Sequence, residues 1–168
     1  MHRADLSAIL RLMRVMALDY GTRAIGVAIS DELEITVRPL TTLRVRGRDV
    51  ASLSERIAAL VVEHQVGAVV VGLPLRMDGT RGDAVARVER FAGKLRKCLA
   101  IPVLTNDERL TSRAADELLR EQGVDARERR LKSDQYAAAI ILQDYLARQE
   151  RDRSTAQPPF VSLPELDA

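Results

Sequence analysis

The sequence has no tryptophan, and only 3% of its 168 residues are aromatic. A surface that grips nucleic acid by stacking bases on rings is therefore not expected. It has one cysteine, Cys98, which excludes an internal disulfide and fits a reducing, cytoplasmic setting. Within its helical pattern Cys98 reads as a buried or half-buried small hydrophobe. No apolar run approaches the roughly 18 residues of a membrane span, so no membrane partner is expected. Neither sign of charge dominates: 26 Lys+Arg stand against 24 Asp+Glu, for a formal charge of +2. Any binding of a polyanion must rest on local patches. No GxxxxGK[ST] loop occurs, so a P-loop nucleotide site has no support. There is no His/Cys cluster for zinc, and His2 and His64 lie far apart and read as surface residues.

What is present is a chain 46% hydrophobic, long enough for one domain with a proper core. Residues 1–12 contain Asp5 and lack a continuous apolar stretch, which makes a poor signal peptide. They read as a short amphipathic leader outside the fold, with Met13 as a candidate start. Residues 13–150 form the expected domain, and 151–168 a flexible tail rich in Ser, Pro and Gln from Ser154 onward.

Alternation and apolar runs predict strands at 14–19, 24–30 and 35–43, with Pro39 placing the third at a sheet edge. In the second, Ile25, Val27 and Ile29 alternate with small residues. The three should form an antiparallel meander. A helical stripe of Leu53, Ile57, Leu60 and Val61 follows a candidate N-cap, Asp49. Gly67 is expected to stop that helix, and 68–71 is a short strand apolar on both faces. A loop at 72–82, a helix at 83–97 and a strand at 102–105 come next. Then follow a polar loop at 106–110, a helix at 112–121, a basic connector, and a helix at 134–148. The order β-β-β-α-β-α-β-α-α predicts an α/β fold in which the fourth and fifth strands run parallel to the first. Sites in such sheets gather at the carboxyl ends of the parallel strands.

Acids stand near two of those ends. Asp19 closes the run Val15-Met16-Ala17-Leu18, and shares a face with Val15 and Ala17. It is either a site carboxylate or an ordinary turn aspartate. Glu108, in TNDERLTS, is either a site acid or part of a loop before a helix cap. Asp134 suits a helix first turn capped by Ser133. Yet Ala137, Ala138, Ile141 and Tyr145 lie at i+3, i+4, i+7 and i+11 from it, which puts Asp134 on the stripe that packs against the sheet. An acid there needs a partner, and a cation is a good one. Such carboxylates suit Mg²⁺ or Mn²⁺, hard ions that bind oxygen. The basic runs RVRGR at 44–48 and RERRLK at 127–132 are solvated faces or phosphate guides. Arg23 and Arg109 flank two of the acids, and a guanidinium forks well onto phosphate.

Four segments, ALDYGTRAIGVAIS, VVGLPLRMDGT, DERLTS and KSDQYAAAIIL, together resemble the YqgF/RuvX family. Its members are bacterial proteins of the RNase H-like fold, once described as Holliday junction resolvases and now regarded as pre-16S rRNA nucleases. The resemblance covers about Arg14 to Leu146. It implies an RNase H-like mixed sheet of three antiparallel and two parallel strands flanked by helices. It also implies divalent-metal-dependent phosphodiester hydrolysis. The family's catalytic, metal-holding acids fall on Asp19, Glu108 and Asp134. Gly21 and Thr22 would let the chain turn beside Asp19. Asp78 receives no role. The expected substrate is structured precursor rRNA, with a four-way DNA junction as the alternative. Arg23, Arg109, Arg129, Arg130 and Lys132 are the candidate nucleic-acid contacts, and the protein is expected to act as a monomer. An actin-like ATPase shares the Asp-x-Gly-Thr turn, but its two lobes need a longer chain. A nuclease-like binding module without turnover is the remaining alternative.

Overall fold

A computed structural model of the chain describes residues 13–45, 50–75, 78, 81–107, 123 and 125–156. Five strands form one sheet: β1 (Arg14–Tyr20), β2 (Ala24–Ser30), β3 (Val37–Arg44), β4 (Val66–Leu73) and β5 (Val103–Asp107). Three helices flank it: α1 (Val50–Glu63), α2 (Asp83–Cys98) and α3 (Ala126–Ala156). The strand order is β3-β2-β1-β4-β5. β1 pairs antiparallel with β2, and β2 with β3. β4 runs parallel to β1, and β5 parallel to β4. The mixed sheet predicted from the sequence is the sheet observed.

Period-two alternation divides the core into two layers. Met16, Leu18, Ile25, Val27, Ile29, Val69 and Val71 pack on one face with Leu53 and Ile57 of α1 and Val85, Val88, Phe91 and Leu95 of α2. On the other face Val15, Ala17, Ala28 and Val70 meet Ala138, Ala139, Ile141 and Leu142 of α3. Small residues on both sides let α3 lie close to the sheet. β3 is an edge strand, as Pro39 implied, and a bulge sits beside that proline in its pairing with β2. The buried Ser30 hydroxyl ties the start of β1 to the end of β2. It accepts from the Val15 amide at 2.9 Å and donates to the Asp31 carbonyl at 2.8 Å.

Several expected boundaries move. α1 ends at Glu63, the turn is made by Gln65 with φ 54°, and Gly67 lies buried inside β4 rather than stopping the helix. β3 starts at Val37. Asp31 Oδ1 holds the preceding turn by accepting from the amides of Ile35 (2.7 Å) and Thr36 (3.0 Å), which leaves Ile35 exposed. Asn106 and Asp107, expected in a loop, belong to β5. The basic stretch 127–132 is helical, and α3 runs from Ala126 through Ser154 to Ala156. Its Arg, Glu and Lys residues are good helix formers, so charge alone gave no break. Cys98 is exposed at the end of α2, because the following Leu99 packs on the core in its place. The expected cap Asp49, the helix at 112–121, the leader 1–12 and residues 157–168 lie outside the described residues.

Candidate active site

β1 carries Asp19 to the carboxyl edge of the sheet on the face covered by α3. Its neighbour Tyr20 points the other way and stacks on Phe91 of α2, ring centroids 4.3 Å apart. That contact anchors the strand end while leaving Asp19 on the opposite side. The chain then turns back at once. The Gly21 amide donates to the Ala24 carbonyl at 2.9 Å, and a Cβ on Gly21 would lie 2.7 Å from that same oxygen. Only glycine fits so tight a return.

α3 brings the second acid. Gly26 is the cross-strand partner of Asp19, and the main chain of Asp134 lies directly over Gly26. The charges of the two carboxylates interact. The Asp19 carboxyl is pushed up from 3.8 to about 6, chiefly by burial and then by the charge of Asp134. Ser133 and Asp134 are interior to α3 and not a cap, since the helix begins eight residues before Asp134. The stripe reading of Asp134 is the one the packing matches.

The third strand end lies level with the first. Leu18 pairs with Val71, and Val71 with Thr105, so one step further on Asp19, Gly72 and Asn106 form a row. Asn106 is buried. Its Nδ2 donates to Asp144 Oδ2 at 3.0 Å and reaches the Ile141 carbonyl at 3.5 Å, fastening the end of β5 to α3. Asp144 also pairs with Arg148 at 2.9 Å. Glu108 and Arg109, which follow β5, lie outside the described residues. Arg23 is exposed in the turn beside Asp19, where its carbonyl accepts from the Val45 amide at 2.9 Å. Arg129, Arg130 and Lys132 lie on α3 upstream of Asp134, and their side chains fall outside the described residues. Asp78 is exposed.

The structure thus brings Asp19 and Asp134 together and carries β5 to the same edge just before Glu108. Two carboxylates, one of them raised by burial and repulsion, make a donor set that fits a hard divalent cation. Among the described residues no group of three His, Cys, Asp or Glu side chains could hold a metal, so a full set needs an acid beyond them. Sequence reasoning missed Gly26 and Asn106. The signal for the first was a glycine inside an otherwise apolar strand, which marks close backbone approach. The second was read as loop because it is polar.

A sheet of this order, with an acid at the end of its first strand and a helix carrying another acid across its face, is the RNase H-like architecture. The chain belongs to the RuvX family: residues 13–148 match the family model described as "RuvX: Holliday junction resolvase". It is 46% identical over 135 residues to a protein of Syntrophus aciditrophicus named "Putative pre-16S rRNA nuclease", covering 80% of this chain and 88% of that one. A protein of Roseiflexus sp. with the same name is 45% identical over 136 residues, covering 81% and 95%. Among solved structures, RuvC of T. thermophilus in complex with a Holliday junction substrate shares the fold. The TM-score is 0.54 at 18% identity, over 82% of this chain and 96% of that one.

Proposed function

We propose that the protein is a divalent-metal-dependent nuclease that hydrolyses phosphodiester bonds of structured RNA, and that it trims the 5′ end of pre-16S rRNA in the cytoplasm. The observation that carries this reading is the juxtaposition of Asp19 and Asp134 at the carboxyl edge of the sheet. The name of its relatives, at 45–46% identity over most of the chain, supports the RNA substrate.

In this reading Asp19, Asp134 and Glu108 hold Mg²⁺ or Mn²⁺. When bound there, the ion would supply water activation and charge neutralisation at the phosphate. The chain does the rest. The end of β1, pinned by the Gly21 turn and the Tyr20–Phe91 stack, fixes Asp19. α3 sets Asp134 beside it, and Glu108 follows the end of β5 in the sequence. Burial around Asp19 lowers the local dielectric, so a cation there would be attracted to its carboxylate more strongly than in water. Arg23 and Arg109, with Arg129, Arg130 and Lys132 on α3, guide the phosphate backbone without reading bases. The catalytic domain spans 13–150, with α3 continuing past the expected start of the tail to Ala156, and the leader and the rest of the tail are peripheral.

The family description as a Holliday junction resolvase supports a second reading, cleavage of four-way DNA junctions. Paired cuts in a two-fold junction call for a symmetric dimer. Among the described residues the exposed large hydrophobics are Leu33 and Ile35 in the β2–β3 turn, Val62 on α1 and Leu104 on β5. The name shared by the relatives keeps the RNA reading ahead of the resolvase reading. No helix among the described residues is long and apolar enough to cross a membrane.

The test is a panel of pre-16S rRNA fragments, single-stranded DNA and a four-way junction, each with Mg²⁺, with Mn²⁺ and with EDTA. Cleavage of the RNA that stops in EDTA and returns with metal is the expected result. Cleavage that persists in EDTA would overturn metal dependence. Symmetric cuts in the junction with RNA left whole would favour the resolvase.

A further inference from the structure

β2 has two unlike faces. Ile25, Val27 and Ile29 enter the core shared with α1 and α2, whereas Gly26 and Ala28 face α3. Gly26 stands opposite Asp19 in the ladder. A Cβ there would overlap the carbonyl carbon and oxygen of Asp134 and come within 2.9 Å of the Gln135 amide nitrogen. The obstacle is main chain, so no change of rotamer relieves it. Further along α3, Asn106 holds Ile141 and Asp144, while Ala138, Ala139, Ile141 and Leu142 are packed on the sheet. A helix held at that end cannot slide to make room and must lift where Asp134 sits.

We propose that Gly26 is a positioning residue for the acid pair: its missing side chain sets the spacing between Asp134 and Asp19, and through it the affinity of the site for a divalent cation. The inference rests on the reading of these two acids as cation ligands. It concerns a residue that touches neither ion nor substrate, and whose effect passes entirely through the main chain of Asp134.

The experiment uses the full chain and Gly26→Ala. Mn²⁺ is titrated into each, with the free ion followed by electron paramagnetic resonance, and crystal structures of both are compared. RNA binding in EDTA is measured alongside. Loss of the hydrogen-bonding groups that orient metal ligands typically weakens metal binding by about tenfold to a hundredfold, and a displaced Asp134 main chain disturbs the same orientation. The expected result is a loss of Mn²⁺ affinity in that range, RNA binding in EDTA within about twofold of wild type, and α3 displaced from β2 at residue 134. A purely structural role would lower the melting temperature and leave Mn²⁺ affinity of the folded protein unchanged, which would overturn the proposal. Wild-type protein that binds no Mn²⁺ would instead refute the ligand reading on which it rests. If Gly26→Ala does not fold, Asp19→Asn/Gly26→Ala, relieved of the carboxylate repulsion, is crystallised in its place. An α3 that sits at residue 134 as in the wild type would then overturn it.

Discussion

Asp19 is the residue whose energetics say most about the site. Its folded-state pKa of about 6 lies above the ordinary 3.8, so the folded protein binds that proton more tightly than the unfolded chain does. The resulting stabilisation is full below about pH 4 and is lost as the pH rises through about 6. Above that, in metal-free protein, an ionised Asp19 burdens the fold. Asp19→Asn carries no such burden. At pH 8 in EDTA it should be more stable than wild type by about 1–3 kcal/mol, and at pH 4 the advantage should disappear. Urea melts of both proteins at the two pH values check this. A difference that does not change with pH would show that the Asp19 carboxylate is not under strain. Ions bound by the site should narrow the gap at pH 8, because they favour the charged form. That Asp19 stands at the end of a core strand was legible in the sequence, because the apolar run before it stops on the acid. Gly26 was not singled out, since a small residue on an alternating strand looks ordinary until a helix backbone is found resting on it.

At the scale of elements, β1 and β2 were close to their expected bounds, because β1 is a continuous apolar run, β2 alternates, and the Gly21 turn separates them. The limits of β5 and α3 were not legible, for related reasons. Asn106 and Asp107 look like loop residues, yet Asn106 finds its hydrogen-bond partners on α3, which only the tertiary fold can show. Ser133-Asp134 looks like a helix start, and local preference for caps yields here to a helix already under way. The join between β5 and α3 should be measurable. Asn106→Ala removes a buried donor to Asp144 and opens a small void, at a cost of about 1–3 kcal/mol. For a protein of this size that is a fall in Tm of roughly 3–10 °C. Thermal denaturation in EDTA checks it, and an unchanged Tm would mean that the Asn106 hydrogen bond does not fasten the two elements.

For the whole molecule, near-neutral net charge leaves RNA binding to a local patch, which the proposed function puts around the acidic edge. Removing one cation that neutralises a phosphate should make the slope of log K against log salt shallower by about 0.7–0.9. Arg23→Gln, in the exposed turn beside Asp19, should flatten the slope by that amount while leaving the melting temperature alone. RNA titrations across a salt series check it, and an unchanged slope would remove Arg23 from the interface. The fold class was legible because the order of strand and helix patterns admits few sheets, and the β3-β2-β1-β4-β5 order satisfies all of them. The placement of Asp19 and Asp134 was half legible: periodicity put each on a face that packs inward, but only the fold showed the main chain of Asp134 lying over Gly26, the cross-strand partner of Asp19.

The central claim is that Asp19 and Asp134 act together at one metal-dependent phosphodiesterase site. It is tested most directly by the single-turnover rate of cleavage of a pre-16S rRNA fragment at saturating Mg²⁺, for wild type, Asp19→Asn and Asp134→Asn. Removing charge stabilisation worth several kcal/mol from the transition state predicts a loss of about a hundredfold or more in each variant, with RNA binding and fold retained. A well-folded Asp134→Asn protein that cleaves at the wild-type rate would contradict it.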